Sequence, residues 1–354
     1  MFQPPFCPNP RCSEHQRPRS KFYIRRGYYR PLCRAHAVPR FKCRSCNRQF
    51  SRQTFRADYR DHKPQLNARL FKLLASGVGL RQSARTMNLS VRSTELKARK
   101  IGRHLRRLNL RVNSHLKDAS TFHFDEIETF EGQRNTRPLT VPVLIESESR
   151  FIIWSEAGTI RPSGSMPKKR KLLIEASNKR HGRRRDQSKQ VIWRTLQRGA
   201  RMAKQAGEII FHSDEKLSYP KLVRRTFGTG STHIRTNSEV ARRTWNPLFP
   251  INHEEALMRD LMGRLRRRSW LASKKRRYLD IALHVHIAYR NLIRSRYNRD
   301  VGSPAQLLGL MPKRLSFGEA LGWRQERGSR SIHPLSLTGR DAPKMCWGLG
   351  ARAA

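Results

Sequence analysis

Residues 122–132 read FHFDEIETFEG, and the segment from Thr121 to Asp125 has the make-up of a strand that ends on an acid. A second buried strand is predicted in EIIFHSDEKLSYP, residues 208–220, again ending on an acid, Asp214. Between the two, LTVPVLIE (139–146) and RFIIWSE (150–156) read as strands around a turn at Glu148 and Ser149, and Gln187 to Ala206 reads as a basic helix. This mixture predicts an α/β domain from about residue 119. The 89 residues from Asp125 to Asp214 leave room for a meander and a crossover helix, so the two strands can be neighbours. Neighbouring carboxylates repel unless a cation lies between them. The plainer alternative is two surface acids at strand ends, where Asp and Glu are common.

A third acid lies 41 residues after Asp214, in NHEEALMRDLMGRLRRRSW (252–270). At about 100° per residue, Leu257, Met258, Leu261, Met262 and Leu265 share one helix face. Glu254 falls among them, while Glu255, Arg259 and Arg266 follow its edge. Glu255 therefore borders both core and basic surface, and Arg259 one turn on can grip a phosphate or orient the carboxylate. A structural alternative makes Asn252 an N-cap paired with Glu255 in a capping box. Asn252 can also supply an oxygen to an ion.

These acids sit in a strongly basic chain. The 354 residues hold 75 Lys and Arg against 26 Asp and Glu, a formal charge of +49. Such a protein needs a large anionic partner, and nucleic acid fits best. At 37% hydrophobic content a sizeable core can form. No charged start followed by an apolar run opens the sequence, and no stretch approaches the roughly 20 apolar residues of a spanning helix. A cytoplasmic protein with no membrane partner is the expectation. No glycine-rich nucleotide motif indicates ATP-driven chemistry.

Five of the six cysteines lie in the first 46 residues: Cys7 and Cys12 in CPNPRC, Cys33 alone, and Cys43 and Cys46 in CRSC. Two short pairs a ribbon's length apart suit one tetrahedral Zn²⁺, which replaces the core that so short a segment cannot build. Cys7, Cys12, Cys43 and Cys46 are the expected ligands, with Cys33 or His36 as substitutes. Cys346 is expected to be an ordinary thiol.

After a polar joint, SRQTFRADYRDHKPQ (51–65), helical periodicity begins. Leu66, Leu70, Leu73 and Leu74 form a stripe, Gly77 and Gly79 a break, and Leu80 to Met87 a short helix. Asn88 to Ser90 makes a turn with a capping Ser before a basic helix from Val91 to Leu105. A helix-turn-helix places side chains in a major groove, and Arg92, Lys97, Arg99 and Lys100 are its candidate DNA contacts, with Arg266 further on. The alternative is a helical bundle with solvated charges.

The order of these features resembles the DDE transposases of zinc-ribbon-bearing bacterial insertion sequences. The resemblance rests on FKCRSCNRQFSRQTF (41–55), HFDEIETFEG (123–132), FHSDEKLSYP (211–220), NHEEALMRDLMGRLRRRSW and the following SKKRRYLDIALHVHIAYRN (273–291). It implies a multidomain α+β chain: a zinc ribbon over 1–55, a helix-turn-helix region over 56–118, a ribonuclease-H-like mixed α/β catalytic domain over 119–300 and an extension over 301–354. It further implies Mg²⁺ or Mn²⁺ held by Asp125, Asp214 and Glu255 or Asn252, with Arg259, Lys216 and Tyr219 in supporting places. Double-stranded DNA, as element ends and target, would be the partner, a homo-oligomer would synapse two ends, and the protein would be nucleoid-associated. One departure is the basic insertion from Pro167 to Arg185, expected to be a flexible loop that grips phosphate. In the extension, Leu307, Leu308, Leu310, Leu315 and Trp323 are expected to pack, and the stretch from about Gly339 to be mobile.

Overall fold

A computed structural model of the chain describes residues 2–32, 36–204, 207–237, 239–241, 243–266 and 275–323. The expectations for Cys33, Cys346 and the stretch from Gly339 lie outside the described residues.

The amino-terminal unit pairs β1 (Tyr23–Tyr29), β2 (Val38–Cys43) and β3 (Gln49–Ser51) in an antiparallel sheet, after a single helical turn α1 (Ser13–Gln16). Its core is aromatic: Phe6, Phe22, Phe41, Phe50 and Phe55 are buried around Cys7, Cys12 and Cys43.

Three helices follow, α2 (Asn67–Ala75), α3 (Leu80–Thr86) and α4 (Val91–Asn113). The α2–α3 break forms at Gly77, whose φ of +80° suits glycine and whose absent side chain leaves room for the Leu261 carbonyl, 3.2 Å from where a Cβ would sit. Ser90 caps α4 by accepting the Ser93 N–H at 3.1 Å. The face of α4 that carries Thr94, Lys97, Ala98, Ile101, Leu105, Leu108 and Val112 is buried, the i, i+3, i+4 spacing of a core-facing stripe.

The central sheet holds β4 (Thr121–Phe130), β5 (Pro138–Glu146), β6 (Ile152–Ser155), β7 (Gly158–Thr159), β8 (Ile209–Asp214) and β9 (Ser231–Thr236). Its order is β6-β5-β4-β8-β9, with β7 paired to β5. The strands β4, β5 and β6 form the expected antiparallel meander, whereas β8 lies parallel to β4 and β9 parallel to β8. This is a mixed sheet, as the resemblance implied. The connecting helices are α5 (Lys168–His181), α6 (Ser188–Ala200) and α7 (Tyr219–Phe227), and then α8 (Phe249–Leu261), α9 (Arg276–Leu292), α10 (Pro304–Leu307) and α11 (Phe317–Gly322).

Alternation along β4 divides two cores. Phe122 and Phe124 join the cluster containing Ile192 and Leu196 of α6 and Val223 of α7, while Ile127 joins Ile251 and Met258 of α8 and Leu283 and Ile287 of α9. The first cluster runs on to α2, α4 and the 301–323 segment, so the helical region and the extension share a core with the sheet. Leu315 and Trp323 are buried there, with Leu308 and Leu310 partly so, but Leu307 is exposed.

Three local expectations are corrected. Asp125 does not end its strand: β4 continues to Phe130, because Glu126 to Phe130 stay paired with β5. Asn252 does not cap α8, since the helix starts at Phe249 with Pro250 in its first turn and the Asn252 N–H already bonds the Leu248 carbonyl. The basic insertion contains a 14-residue helix, α5, in place of a loop.

Candidate active site

Parallel pairing of β4 with β8 sets Phe122 beside Phe211 and His123 beside His212. Two residues further along, on the same face by the strand period, stand Asp125 and Asp214, on strands about 4.8 Å apart. The rings of His123 and His212 stack beneath them, 4.4 Å between centroids and 6° from parallel. Burial pushes both imidazoles below their usual range, His123 to about 3, so this floor is neutral.

From the other side α8 presents Glu255, 3% exposed, with one carboxylate oxygen 2.7 Å from Arg259 Nη2. Burial, then the charges of Glu255, Asp214 and Glu126, lift the Asp125 carboxyl to about 8. The N–H of Glu126, donated to Asp125 Oδ1 at 2.7 Å, opposes that rise without cancelling it. Three carboxylates from two strands and a helix thus lie near enough on one face of the sheet for two of them to raise the third, although among the described residues their oxygens do not gather within 4.8 Å of one another as the four cysteine sulfurs do; their repulsion is relieved by a proton or by a cation. Asp214 Oδ1 also accepts the Lys216 N–H at 3.2 Å. Asn252 lies one turn before Glu255 on α8 and is half-buried.

Two carboxylates that the sequence reading did not single out as functional explain how the site is held. Glu126 points to the opposite face of β4, where it accepts from Thr140 Oγ1 at 2.5 Å, from Tyr219 Oη at 2.6 Å and from Lys216 Nζ. Lys216 and Tyr219 follow directly on Asp214, so Glu126 fastens the turn after β8 to the strand that carries Asp125. Glu254 is fully buried against Arg290 of α9, whose Nε lies 2.8 Å from Oε2. The His253 and Arg290 contacts outweigh burial and keep the Glu254 carboxyl below its usual range. Glu254 therefore locks α8 to α9 and leaves Glu255 to face Asp125. The apolar neighbours of Glu254 on the helical wheel were the signal for this division; the partner Arg290 was not legible.

In the amino-terminal unit, the sulfurs of Cys7, Cys12, Cys43 and Cys46 all lie within 4.8 Å of one another. Cys7 and Cys46 are 3.5 Å apart and Cys12 and Cys43 3.8 Å apart. Among the described residues this is the group with metal-ligand spacing, and His36 is exposed outside it. Burial raises the Cys7 and Cys12 thiols, whereas Cys46 falls to about 7 because hydrogen bonds, led by that from Arg48, outweigh its burial. The donor set of four soft sulfurs suits Zn²⁺.

The basic residues divide. Arg92 is exposed, 3.8 Å from Glu95, and Arg99 is half-buried beside a cavity of about 670 Å³ between α2–α4 and α8–α9. Lys97 does not face outward as expected: it is 4% exposed, and its ammonium meets Asp61 at 2.8 Å, the His62 carbonyl at 2.7 Å, the Lys63 carbonyl at 3.1 Å and Asn67 Oδ1 at 3.0 Å. It staples the 61–67 connector to α4. Lys100 similarly donates to the carbonyls of Tyr59 and Arg60. Arg266 folds back on the end of α8, donating to the Asp260 carbonyl at 2.8 Å. Among the described residues no helix is long and apolar enough to cross a membrane.

No protein-family model matches the chain, and its sequence matches no curated protein. Solved structures similar to it include the Mos1 mariner paired-end complex with Mn, at 12% identity over 72% of this chain and 78% of that one, TM-score 0.27. The catalytic domain of Mos1 mariner transposase aligns at 11% identity over 64% and 92%, TM-score 0.24. A Mos1 paired-end complex with the left transposon end aligns at 15% identity over 63% and 76%, TM-score 0.20. Identities and TM-scores of this size establish neither a shared fold nor a shared reaction.

Proposed function

We propose that this chain is a DNA transposase of an insertion sequence, binding terminal inverted repeats and carrying out metal-dependent strand cleavage and strand transfer. The reading rests on one observation: Asp125, Asp214 and Glu255 crowd a single face of the sheet, with Asp125 lifted to about 8 by burial and by its acidic neighbours, in a chain of formal charge +49. A group of carboxylates that destabilise one another is suited to a cation, and a strongly basic protein is suited to a polyanion.

The all-oxygen donors fit Mg²⁺ or Mn²⁺, with Asn252 as a further oxygen. When bound, such ions activate a water or a 3′ hydroxyl and stabilise the leaving oxygen of a phosphodiester. The protein's own residues prepare that event. Raised to about 8, the Asp125 carboxyl keeps its proton near neutral pH and would release it more readily as a cation arrives. Glu126, through Tyr219 and Lys216, holds the Asp214 turn at a fixed place beside β4. Arg259 keeps the Glu255 carboxylate oriented and brings a cation to the site's edge, where a phosphate can meet it. Cys7, Cys12, Cys43 and Cys46 hold a structural Zn²⁺. With the α3–α4 pair, through Arg92 and Arg99, that ribbon recognises the DNA ends, and two copies of the chain synapse them.

The test is strand cleavage and joining with Mg²⁺ or Mn²⁺ on duplexes taken from the ends that flank the gene, comparing wild type with Asp125→Asn. Joined products that vanish in the variant are expected. Tight binding with no cleavage by the wild type would overturn the catalytic reading and leave a non-catalytic DNA-binding regulator or degenerate copy; cleavage without joining would reduce it to a nuclease.

A further inference from the structure

The helix α5 buries none of its 14 residues, although it is tied to the sheet by an ordered neck. On the way out, Thr159 Oγ1 donates to the Arg185 carbonyl at 2.6 Å, and the Gln187 N–H returns to the Thr159 carbonyl at 2.7 Å. Arg184, 9% exposed, clamps the base: it donates to the Ile160 carbonyl at 3.0 Å, the Pro138 carbonyl at 2.7 Å and Glu131 Oε1 at 2.9 Å. Glu131 in turn accepts the N–H of Arg276 at the start of α9 at 2.8 Å. A buried, fully engaged arginine fixes where the excursion leaves the protein. The excursion joins no hydrophobic cluster: Arg170, Leu173, Ile174, Ser177 and Asn178 along one side of α5 are half-buried, while Lys168, Lys169, Lys171, Lys179 and Arg180 are exposed.

The composition of α5 excludes most reasons for so exposed a helix. KKRKLLIEASNKRH holds six Lys and Arg and one Glu. Leu172 is 65% exposed, and Leu173 and Ile174 share their half-buried side with Arg170, Ser177 and Asn178, so no continuous apolar stripe forms. A helix that lies on lipid or docks on a protein needs an apolar face, and this one has none. Alone it is also poorly supported: about 14 residues is marginal for an isolated helix, and four cations in its first turn oppose the helix dipole. Negative charge from outside, spread along its length, would relieve both problems.

Position names the source of that charge. The neck sits at Glu131, six residues beyond Asp125 on the β4 side of the sheet, which is roughly 20 Å at 3.3 Å per residue. The helix is itself about 21 Å long. A duplex whose scissile phosphate lies at the acid cluster would pass within reach of it. We propose that α5 is a cationic arm that lies along the phosphate backbone of double-stranded DNA flanking the Asp125 centre. This rests on the DNA reading above and adds a second, sequence-independent grip separate from the ribbon and the α3–α4 pair.

The experiment compares two triple variants of the full-length, zinc-loaded chain by fluorescence anisotropy on a 30-base-pair duplex of arbitrary sequence between 50 and 300 mM salt. One carries Lys168→Gln, Lys169→Gln and Lys171→Gln, which keep helix propensity. The other removes the same charge from exposed positions elsewhere, Lys117→Gln, Lys221→Gln and Arg224→Gln. Each lost phosphate contact lowers the slope of log K against log salt by about 0.9, so the arm variant is expected to lose about 2 to 3 from the slope and tenfold or more in affinity at 150 mM. The control is expected to change less than twofold, with both melting like wild type. Equal shifts in the two variants would show diffuse charge and sink the arm, as would an arm variant that loses binding to anionic vesicles or polyglutamate but keeps its grip on DNA. If wild type cleaves element ends while the arm variant binds unchanged, the arm alone fails. An arm effect without any cleavage leaves the arm standing and removes the catalytic reading.

Discussion

The cysteine cluster and the acid cluster both crowd ionisable ligands, yet they are built in opposite ways. The four sulfurs come from two short loops inside one small unit, lie within 4.8 Å of one another, and are wrapped by five phenylalanines. The acids come from two strands and a helix spread over 130 residues, and each is braced by a different neighbour: Asp125 by the Glu126 N–H, Asp214 by the Lys216 N–H and Glu255 by Arg259. In the first region three of the four ligands are themselves part of a small aromatic core. In the second a large core exists without them, and the acids are charges which that core tolerates. Losing the ion should therefore unfold the first region and merely relax the second.

The largest expected effect tests the first half of that contrast. Cys43→Ser removes one of four thiolates from a site whose zinc would supply on the order of 10 kcal/mol of folding free energy. Zinc content, measured by atomic absorption, should fall from one per chain to near zero, and binding to element ends should fall with it, while the α8–α9 core melts almost as before. A variant that keeps its zinc and binds ends normally would sink the ribbon. The second half predicts the reverse. Asp125→Asn should cost four orders of magnitude or more in strand cleavage, about 5 kcal/mol of barrier, and leave folding intact and DNA affinity the same or higher. Loss of DNA binding in that variant would contradict the ligand assignment.

A sharper version uses adjacent residues of one helix. Glu254→Gln leaves Arg290 buried without its counter-charge, and breaking such a pair typically costs about 3 to 4 kcal/mol. Glu255→Gln should cost clearly less than that, since the buried charge it removes repels Asp125 and the Arg259 it leaves behind is 23% exposed and keeps water as a partner, but it should abolish cleavage. Urea unfolding of both variants beside a cleavage assay decides the matter. If the two glutamates behave alike, the division between an α8–α9 lock and a site ligand is wrong.

How far these regions could be read from sequence follows from how local their causes are. The cysteine pairs, the meander and the two strands carrying Asp125 and Asp214 are visible in spacing and strand-like runs, because those sequence patterns are local even where the pairing is not, as with Cys7 and Cys46, 39 residues apart. The role of Glu126 has no local signature, because it depends on the β4–β5 register and on Tyr219, 93 residues away. For Lys97 charge and position point opposite ways: its charge suggests an outward-facing contact, but it sits at helical spacing with Thr94, Ile101 and Leu105, and position wins. The α5 helix is not legible in the sequence because its charges read as a solvated loop and no apolar periodicity marks it.

The smallest expected effect turns on the sign of the strain at the acids. The Asp125 carboxyl ordinarily titrates near 3.8 and is held at about 8 in the fold. The folded state therefore keeps a proton that the unfolded chain has already released, and this group's contribution to stability falls as pH rises from about 4 to about 8. In chelator, wild type should lose stability across that window. Asp125→Asn should lack the slope and be the more stable protein at pH 8, by on the order of 2 kcal/mol once the partial exposure of Asp125 and its shared interaction with Glu255 and Asp214 are discounted. Millimolar Mg²⁺ should restore the wild type, replacing the proton as counter-charge, and leave the variant nearly unmoved. Urea midpoints at pH 5 and pH 8, with and without Mg²⁺, separate the possibilities. A variant with the wild-type pH slope would mean that the acids are not straining the fold, and the contrast between a region made by its ligands and a region that merely tolerates them would lose its second half.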